Sequence, residues 1–135
     1  MNALIVAAGV IRRGKELLLC QRPDDKSLEA GKWEFPGGKL EEGETPKQAL
    51  VRELKEELDI DVTVSRILDA RIKRYERGAI LVLFYECSIA NGTPKALEHK
   101  RITYVRPEEL TQYDLADADR CAAETIIRDK ENANA

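Results

Sequence analysis

The length, composition and charge of the chain exclude several classes of protein. Its 135 residues suit a single domain, 1–135, and 43% hydrophobic with 35% charged residues is typical of a soluble globular protein. The formal net charge of −3 gives no basic footprint for a nucleic-acid polymer. No apolar run approaches the roughly 20 residues needed to cross a membrane. The odd set Cys20, Cys87 and Cys121 lacks C-x-x-C spacing, which favours reduced thiols, and we expect a cytoplasmic protein.

The first third of the chain predicts strands followed by a loop. Residues 4–11 are apolar and end at two arginines, which predicts a central strand buried on both faces. Gly14 marks a turn, and residues 16–21 are predicted to form the hairpin partner. Residues 27–36 are predicted to be a loop that carries the one tryptophan, Trp33.

The next stretch predicts an amphipathic helix. Thr45 is a good N-cap, Pro46 suits the first helical position, and Gln48 completes a capping box with Thr45. A buried stripe is expected from apolar residues at i, i+4 and i+8, namely Leu50, Leu54 and Leu58.

The remainder predicts two longer strands, a short strand and a terminal helix. The predicted elements are a long or broken strand over 62–72, a turn at 75–78, a strand over 79–89, a turn at 91–94, a strand over 102–105, a helical turn from 106 and a helix over 118–130. This order indicates an α/β fold, with a mixed sheet between one helix on each face.

Three carboxylates crowd one side of the first helix. Glu56 and Glu57 follow Glu53 by three and four residues, so the three lie on neighbouring faces. Each like-charge pair at this spacing costs about 0.2–0.5 kcal/mol in an isolated helix. A hard divalent cation would offset the cost, since Mg²⁺ prefers carboxylate oxygen. The alternative is a solvated, salt-bridged face shared with Arg52 and Lys55.

A glycine loop precedes this helix. Gly37 and Gly38 allow the backbone to approach a ligand closely, and Lys39 offers a positive charge for a phosphate, although a solvated lysine is the alternative. A chelated metal beside such a loop suits pyrophosphate chemistry.

Residues 38–60 resemble the Nudix box, the signature of the MutT/Nudix hydrolases, G-x5-E-x7-R-E-U-x-E-E-x-G-U with U an aliphatic residue. The fixed positions that match are Gly38, Glu44, Arg52, Glu53, Leu54, Glu56, Glu57 and Ile60. Asp59 departs from the motif, which has Gly at that place, but Asp tolerates the left-handed conformation expected at the helix end. The resemblance extends over nearly the whole chain. It implies the Nudix α/β/α sandwich, with a mixed β-sheet between the Nudix-box helix and a C-terminal helix.

The resemblance also implies roles for individual residues. The expected Mg²⁺ ligands, with Mn²⁺ as a possible replacement, are Glu53, Glu56, Glu57 and the Gly37 carbonyl. Glu98 is expected as a further ligand or proton acceptor, and the general base is open among Glu53, Glu56 and Glu98. Lys39 is expected to contact phosphate. The residues expected to hold the geometry of loop and helix behind the ligands are Gly38, Glu44 and Arg52.

The nucleobase is expected to meet a separate set of residues. The phrase over residues 33–39 looks like the segment before the box in MutT-type enzymes, where the residue matching Phe35 faces the base. Asp119 matches the position that binds the purine edge, although an acid at a helix N-terminus is also explained by the macrodipole. Tyr75 and Ile80 could line the same pocket.

These roles imply hydrolysis of a nucleoside triphosphate to the monophosphate and pyrophosphate, with oxidised purines such as 8-oxo-dGTP as favoured substrates. The similarity of the C-terminal half to a close MutT relative favours a CTP or modified-pyrimidine pyrophosphohydrolase as the alternative. An alternative of another class is a Nudix nucleotide sensor without catalysis. The sequence leaves a monomer and a homodimer equally open.

Overall fold

The structure, a computed structural model, describes residues 3–25 and 29–133. Part of the predicted loop over 27–36 therefore lies outside the described residues. The helices are α1 (Pro46–Leu58) and α2 (Asp117–Ala133), with a 3-10 helix over Pro107–Gln112. The strands are β1 (Ala3–Arg13), β2 (Glu16–Gln21), β3 (Trp33–Glu34), β4 (Gly37–Lys39), β5 (Asp61–Tyr75), β6 (Gly78–Asn91) and β7 (Arg101–Val105).

The strands form one mixed sheet around β1. The order is β3-β2-β1-β6-β5, with β4 paired to β1 and β7 paired to β2. β1 runs parallel to β6 and antiparallel to β2 and β4, which confirms its predicted central position. The predicted burial on both faces is confirmed for Ala7, Ala8, Val10 and Ile11. It is wrong for the start of the strand, where Leu4 and Ile5 are exposed.

The predicted sandwich is confirmed by two cores, one on each side of the sheet. The core under α1 contains the predicted leucine stripe, Leu50, Leu54 and Leu58, and each of these side chains is 0% exposed. The core under α2 contains Ala122 and Ile126. β5 is broken by register shifts near Val64 and Ile67, which also agrees with the sequence. Within the described ranges, no helix is both long and apolar enough to cross a membrane.

The ends of α1 follow the predicted chemistry. The Gln48 backbone N–H donates to the Thr45 hydroxyl at 3.2 Å, and the Gln48 side chain accepts from the Thr45 N–H at 3.0 Å, so the capping box is present. Asp59 ends the helix in the left-handed conformation, with φ 56° and ψ 43°. Its N–H donates to the Lys55 carbonyl, and its carboxylate pairs with Lys55 and Lys95. The departure from the motif therefore preserves the helix end.

The glycine loop is itself a strand. β4 pairs with β1, placing Gly37 opposite Ala8 and Gly38 opposite Ala7. A Cβ atom on Gly37 would lie 2.0 Å from the Ala7 carbonyl oxygen, so a side chain cannot fit there. Strand pairing, rather than a free turn, therefore fixes Gly37, Gly38 and Lys39 along one side of a cavity.

Candidate active site

One cavity of about 400 Å³ gathers residues from both halves of the chain. Several predicted site residues line it: Phe35, Gly37, Gly38, Lys39, Glu57, Ile80 and Asp119. Its remaining charged lining comes from Arg22, Glu29, Glu34 and Lys73. We call the lining from the glycine strand and α1 the first end of the cavity, or its phosphate end, and the lining from Phe35 and α2 the second end.

Glu57 is the buried carboxylate at the first end. Its residue exposure is 9%, and its carboxylate accepts a hydrogen bond from the Gly37 N–H. Its other oxygen, Oε2, is buried and has no hydrogen-bond partner among the described residues. Burial raises the pKa of Glu57 to about 9, helped by the charges of Glu53, Glu34 and Glu98 and opposed by the Gly37 N–H.

Glu53 and Glu56 both contact the guanidinium group of Arg52. Arg52 Nη1 donates to Glu53 Oε1 at 2.9 Å and lies 3.4 Å from Glu56 Oε2. Glu53 also packs on Gly38, where an added Cβ would lie 2.3 Å from the Glu53 Cδ. Across residues 3–25 and 29–133, no three Asp, Glu, His or Cys side chains are gathered closely enough to form a ready-made metal cluster. The like charges on α1 are therefore balanced in part by Arg52.

Arg52 also fixes the segment before the helix. Its Nε and Nη2 donate to the two oxygens of Glu44 at 2.8 and 2.9 Å, and Nη2 donates to the Lys39 carbonyl at 3.0 Å. Glu44 accepts a further bond from the Glu41 N–H. These donors hold the pKa of Glu44 at about 2, and the same contacts raise the pKa of Arg52.

The donor set fits a hard divalent cation. Glu57 offers a buried oxygen that lacks a partner, and carboxylate oxygen is the ligand type such ions prefer. The Glu53 carboxylate packs against Gly38, and a side chain on residue 38 would occupy the same space. Glu56 is more exposed and reaches the group through the contact with Arg52.

Glu98 approaches this end from another segment. Leu97 N–H donates to the Glu57 carbonyl at 3.2 Å, and Lys95 N–H donates to the Leu58 carbonyl at 2.9 Å. These bonds fasten the chain before Glu98 to the end of α1. Glu98 is exposed and does not line the cavity, but its charge contributes to the raised pKa of Glu57.

Asp119 is the buried acid at the other end of the cavity. It is 8% exposed, and its Oδ1 accepts a hydrogen bond from the Phe35 N–H at 2.8 Å. Burial raises the pKa of Asp119 to about 8, opposed by the Phe35 N–H and helped by the charges of Glu34 and Glu29. The Phe35 ring packs edge-to-face on Phe84, with centroids 6.0 Å apart. Asp119 and Phe35 are therefore held together as one wall.

The structure places Tyr75 apart from the other residues predicted to line the base pocket. Tyr75 pairs with Gly78 at the end of the β5–β6 hairpin, is 44% exposed, and is absent from the described lining of the cavity. Lys73, two residues earlier on β5, lines the cavity instead and forms an ion pair with Glu29. The hairpin extends past the cavity, so its tip does not reach the predicted pocket.

Sequence reasoning missed four charged lining residues. Glu34 precedes Phe35 directly, and that adjacency was the one available signal. Arg22, Glu29 and Lys73 come from three separate segments and carry no pattern that indicates a site. Arg22 Nη1 donates to Glu34 Oε1 at 3.0 Å, so these residues form part of one charged wall.

Comparison with known proteins agrees with this architecture. The NUDIX domain model matches residues 3–126. CTP pyrophosphohydrolase of Escherichia coli is 41% identical over 119 residues, covering 88% of this chain and 87% of the relative. 8-oxo-dGTP diphosphatase of Proteus vulgaris is 57% identical over 83 residues, 61% of this chain and 73% of the relative. The solution structure of the E. coli ORF135 protein superposes with a TM-score of 0.84 at 38% identity, covering 95% of this chain and 91% of that one. The chain therefore belongs to the NUDIX domain family and is a hydrolase of that family.

Proposed function

We propose that the chain is a Mg²⁺-dependent nucleoside triphosphate pyrophosphohydrolase that releases a nucleoside monophosphate and pyrophosphate. One observation carries the proposal. A single cavity joins the glycine strand and Glu57 at one end to Phe35, Ile80 and Asp119 at the other. Its volume of about 400 Å³ falls in the range of small-molecule sites, so it suits a nucleotide-sized ligand.

The first end suits the phosphates. Nudix hydrolases need a divalent metal, and Mg²⁺ is our choice of ion, with Mn²⁺ as a possible replacement. The residues that would hold it are Glu53, Glu56, Glu57, Glu98 and the Gly37 carbonyl. When bound, the ion would neutralise phosphate charge and lower the pKa of water. Lys39 lines the same end and would contact the phosphates.

The protein's own groups would then orient and deprotonate the attacking water. Arg52 bonds Glu44 and the Lys39 carbonyl and so holds α1 against β4, while Glu53 and Glu57 lie one turn apart on the same side of α1. Glu98 is our candidate for the proton acceptor, because Glu53 and Glu56 already pair with Arg52 whereas Glu98 arrives from a separate exposed segment.

The second end suits a nucleobase whose edge both donates and accepts hydrogen bonds. With a pKa of about 8, Asp119 is mainly protonated at neutral pH and can donate a hydrogen bond. The neighbouring Glu34 carboxylate can accept one. Unmodified guanine presents N7 as an acceptor, whereas oxidation at C8 places a hydrogen on N7. A carboxylate acceptor in this wall therefore favours an oxidised purine such as that of 8-oxo-dGTP.

Cytidine triphosphate is the second candidate. The observation in its favour is the relative named CTP pyrophosphohydrolase, which matches 88% of this chain. Cytosine presents an amino donor at N4 beside the N3 acceptor, so the same pair of a carboxylate and a protonated acid could bind it. We also propose a reducing compartment such as the cytoplasm, on the odd number of cysteines and their lack of C-x-x-C spacing.

A pyrophosphate-release screen with Mg²⁺ tests the proposal. The panel holds the common NTPs and dNTPs, 8-oxo-dGTP, 5-methyl-dCTP, ADP-ribose and a dinucleoside polyphosphate, and the nucleoside products are identified. Preference for the oxidised purine supports the first candidate, and preference for cytidine nucleotides supports the second. Robust turnover in excess chelator contradicts the metal requirement. Tight nucleotide binding without turnover of any compound contradicts the enzymatic proposal in favour of a sensor.

The same screen tests Asp119. Asp119→Ala removes the acid that faces the proposed base site but leaves the phosphate end unchanged. We expect the ranking of bases to change more than the rate on a generic triphosphate. An unchanged ranking would remove Asp119 from base recognition.

A further inference from the structure

The Glu34 carboxylate is held by donors from two other segments. His99 Nε2 lies 3.2 Å from Glu34 Oε2, and Arg22 Nη1 donates to Glu34 Oε1 at 3.0 Å. The His99 side chain is 5% exposed, whereas that of Glu34 is 20% exposed. A buried ring nitrogen therefore restrains a carboxylate that lines the cavity.

The second ring nitrogen of His99 argues against a simple packing role. His99 Nδ1 is buried, and no hydrogen-bond partner for it exists among the described residues. A buried polar atom without a partner destabilises the folded state, and an apolar side chain of similar size would avoid that cost. The hydrogen bond to Glu34 is the one described contact that requires a nitrogen at this position.

His99 is not part of the described cavity lining, but it is connected to the cavity through its neighbours. It follows Glu98 directly, and the backbone just before it is hydrogen-bonded to α1 through Leu97 and Glu57. Its partner Glu34 lies close enough to the buried acids of both ends to raise the pKa of Glu57 and that of Asp119. A change at residue 99 is therefore transmitted to the site through Glu34.

We propose that His99 is a positioning residue, which fixes the Glu34 carboxylate in the cavity wall as the acceptor for an N–H group on the edge of the nucleobase. The proposal rests on the proposed function, because it assumes that the ligand is a nucleotide. It assigns base discrimination to a pair of residues that the Nudix-box pattern does not contain.

Binding of nucleoside monophosphates gives a test that does not need turnover. The variants are His99→Leu, His99→Gln, Glu34→Gln and the double variant His99→Leu with Glu34→Gln. The probes are 8-oxo-dGMP, dGMP, CMP and AMP, and titration calorimetry gives the ratio of the weakest to the tightest Kd. The matched control is Leu97→Ala, an exposed side chain in the same segment. Turnover and thermal stability are measured on every variant.

We expect the Kd ratio to fall about tenfold in His99→Leu, since a hydrogen bond to a charged group is lost. His99→Gln should restore most of the ratio, because its amide N–H can reach Glu34. The double variant should be no worse than Glu34→Gln alone, since His99 acts through Glu34. Leu97→Ala should match the wild type.

Three results would overturn the inference. An unchanged ratio in His99→Leu, with wild-type turnover intact, overturns it and leaves the proposed function standing. Equal loss in His99→Leu and His99→Gln, accompanied by equal thermal destabilisation, shows a structural role only. A wild-type protein that neither binds a nucleotide nor hydrolyses one overturns both proposals.

Discussion

Arg52 and Glu44 form a two-pronged ion pair, in which Nε and Nη2 of the guanidinium donate to the two carboxylate oxygens at 2.8 and 2.9 Å. The same guanidinium donates to Glu53 and to the Lys39 carbonyl. One side chain thus connects the segment before α1, the strand β4 and a proposed metal ligand. Because its donors are spread over a plane, a single ammonium cannot replace them.

Arg52→Lys should therefore lower turnover by about tenfold or more, with little change in the melting temperature, because the positive charge remains but the paired hydrogen bonds are lost. Steady-state kinetics and thermal unfolding measure the two effects. Arg66→Lys is the matched control, since Arg66 is exposed and pairs with Glu86 and Asp129 away from the cavity. Wild-type turnover in Arg52→Lys would show that the ion pair does not position Glu53.

Glu57→Gln should reduce turnover by roughly a hundredfold or more while the protein stays folded. Glutamine has nearly the same shape, but it lacks the negatively charged carboxylate that would bind the proposed ion. Kinetics and circular dichroism check the two expectations. Glu42→Gln changes an exposed glutamate in the same motif and should behave like the wild type. Equal rates for the two variants would contradict the role of Glu57.

Binding of Mg²⁺ should strengthen as pH rises. The pKa of Glu57 is about 9 without the ion, and a metal binds the ionised form, so a proton must leave on binding. The apparent affinity should rise by up to about tenfold per pH unit below that pKa. Calorimetry in buffers of different ionisation enthalpy would detect the released proton directly. Affinities that are equal near pH 6 and near pH 8 (about two units apart) would contradict this linkage.

Gly38→Ala and Gly37→Ala should fail in different ways. A Cβ on Gly38 would lie 2.3 Å from the Glu53 Cδ, so the side chain of Glu53 should move and turnover should fall while the fold persists. A Cβ on Gly37 would lie 2.0 Å from a backbone oxygen of β1, which should destabilise the fold by about 1–3 kcal/mol. Denaturant unfolding and kinetics on both variants separate the effects. A stable, fully active Gly38→Ala protein would show that Glu53 need not sit where the structure places it.

Asp119 should make stability fall as pH rises. Its pKa is raised from 3.8 to about 8 on folding, so the native state binds more protons than the unfolded state between those values. The free energy of unfolding therefore decreases with pH in this window, by up to about 1.4 kcal/mol per pH unit from this group. The decrease is complete above pH 8.

Asp119→Asn should flatten this pH dependence, because the amide does not titrate. Urea unfolding across the window measures the difference between variant and wild type. Glu57→Gln serves as the parallel experiment, since Glu57 also has a raised pKa and contributes in the same direction. Parallel pH curves for Asp119→Asn and the wild type would mean that Asp119 is not buried as a neutral acid.

Local chemistry in the sequence was enough to determine the helix that carries the glutamates. Its capping box, its leucine stripe and its left-handed end at Asp59 depend on residues within a turn or two of one another. Spacing along one helix likewise placed Glu53, Glu56 and Glu57 together. The main strands were predicted from apolar runs, and the sandwich from a resemblance that covers nearly the whole chain, whereas the order of strands in the sheet was not predicted. These features were predictable because each is encoded over a short sequence distance.

The far wall of the cavity was decided by the tertiary structure. Glu29 meets Lys73 across 44 residues, and His99 meets Glu34 across 65, so no local pattern signals either pair. The position of Tyr75 outside the described cavity lining likewise could not be read from the sequence, since it depends on the register of the β5–β6 hairpin. The raised pKa values of Glu57 and Asp119 come from burial, which depends on how the sheet and both helices pack. Sequence thus determined the family and the glutamates and glycines of the proposed phosphate site, and packing determined which charges line the proposed base site.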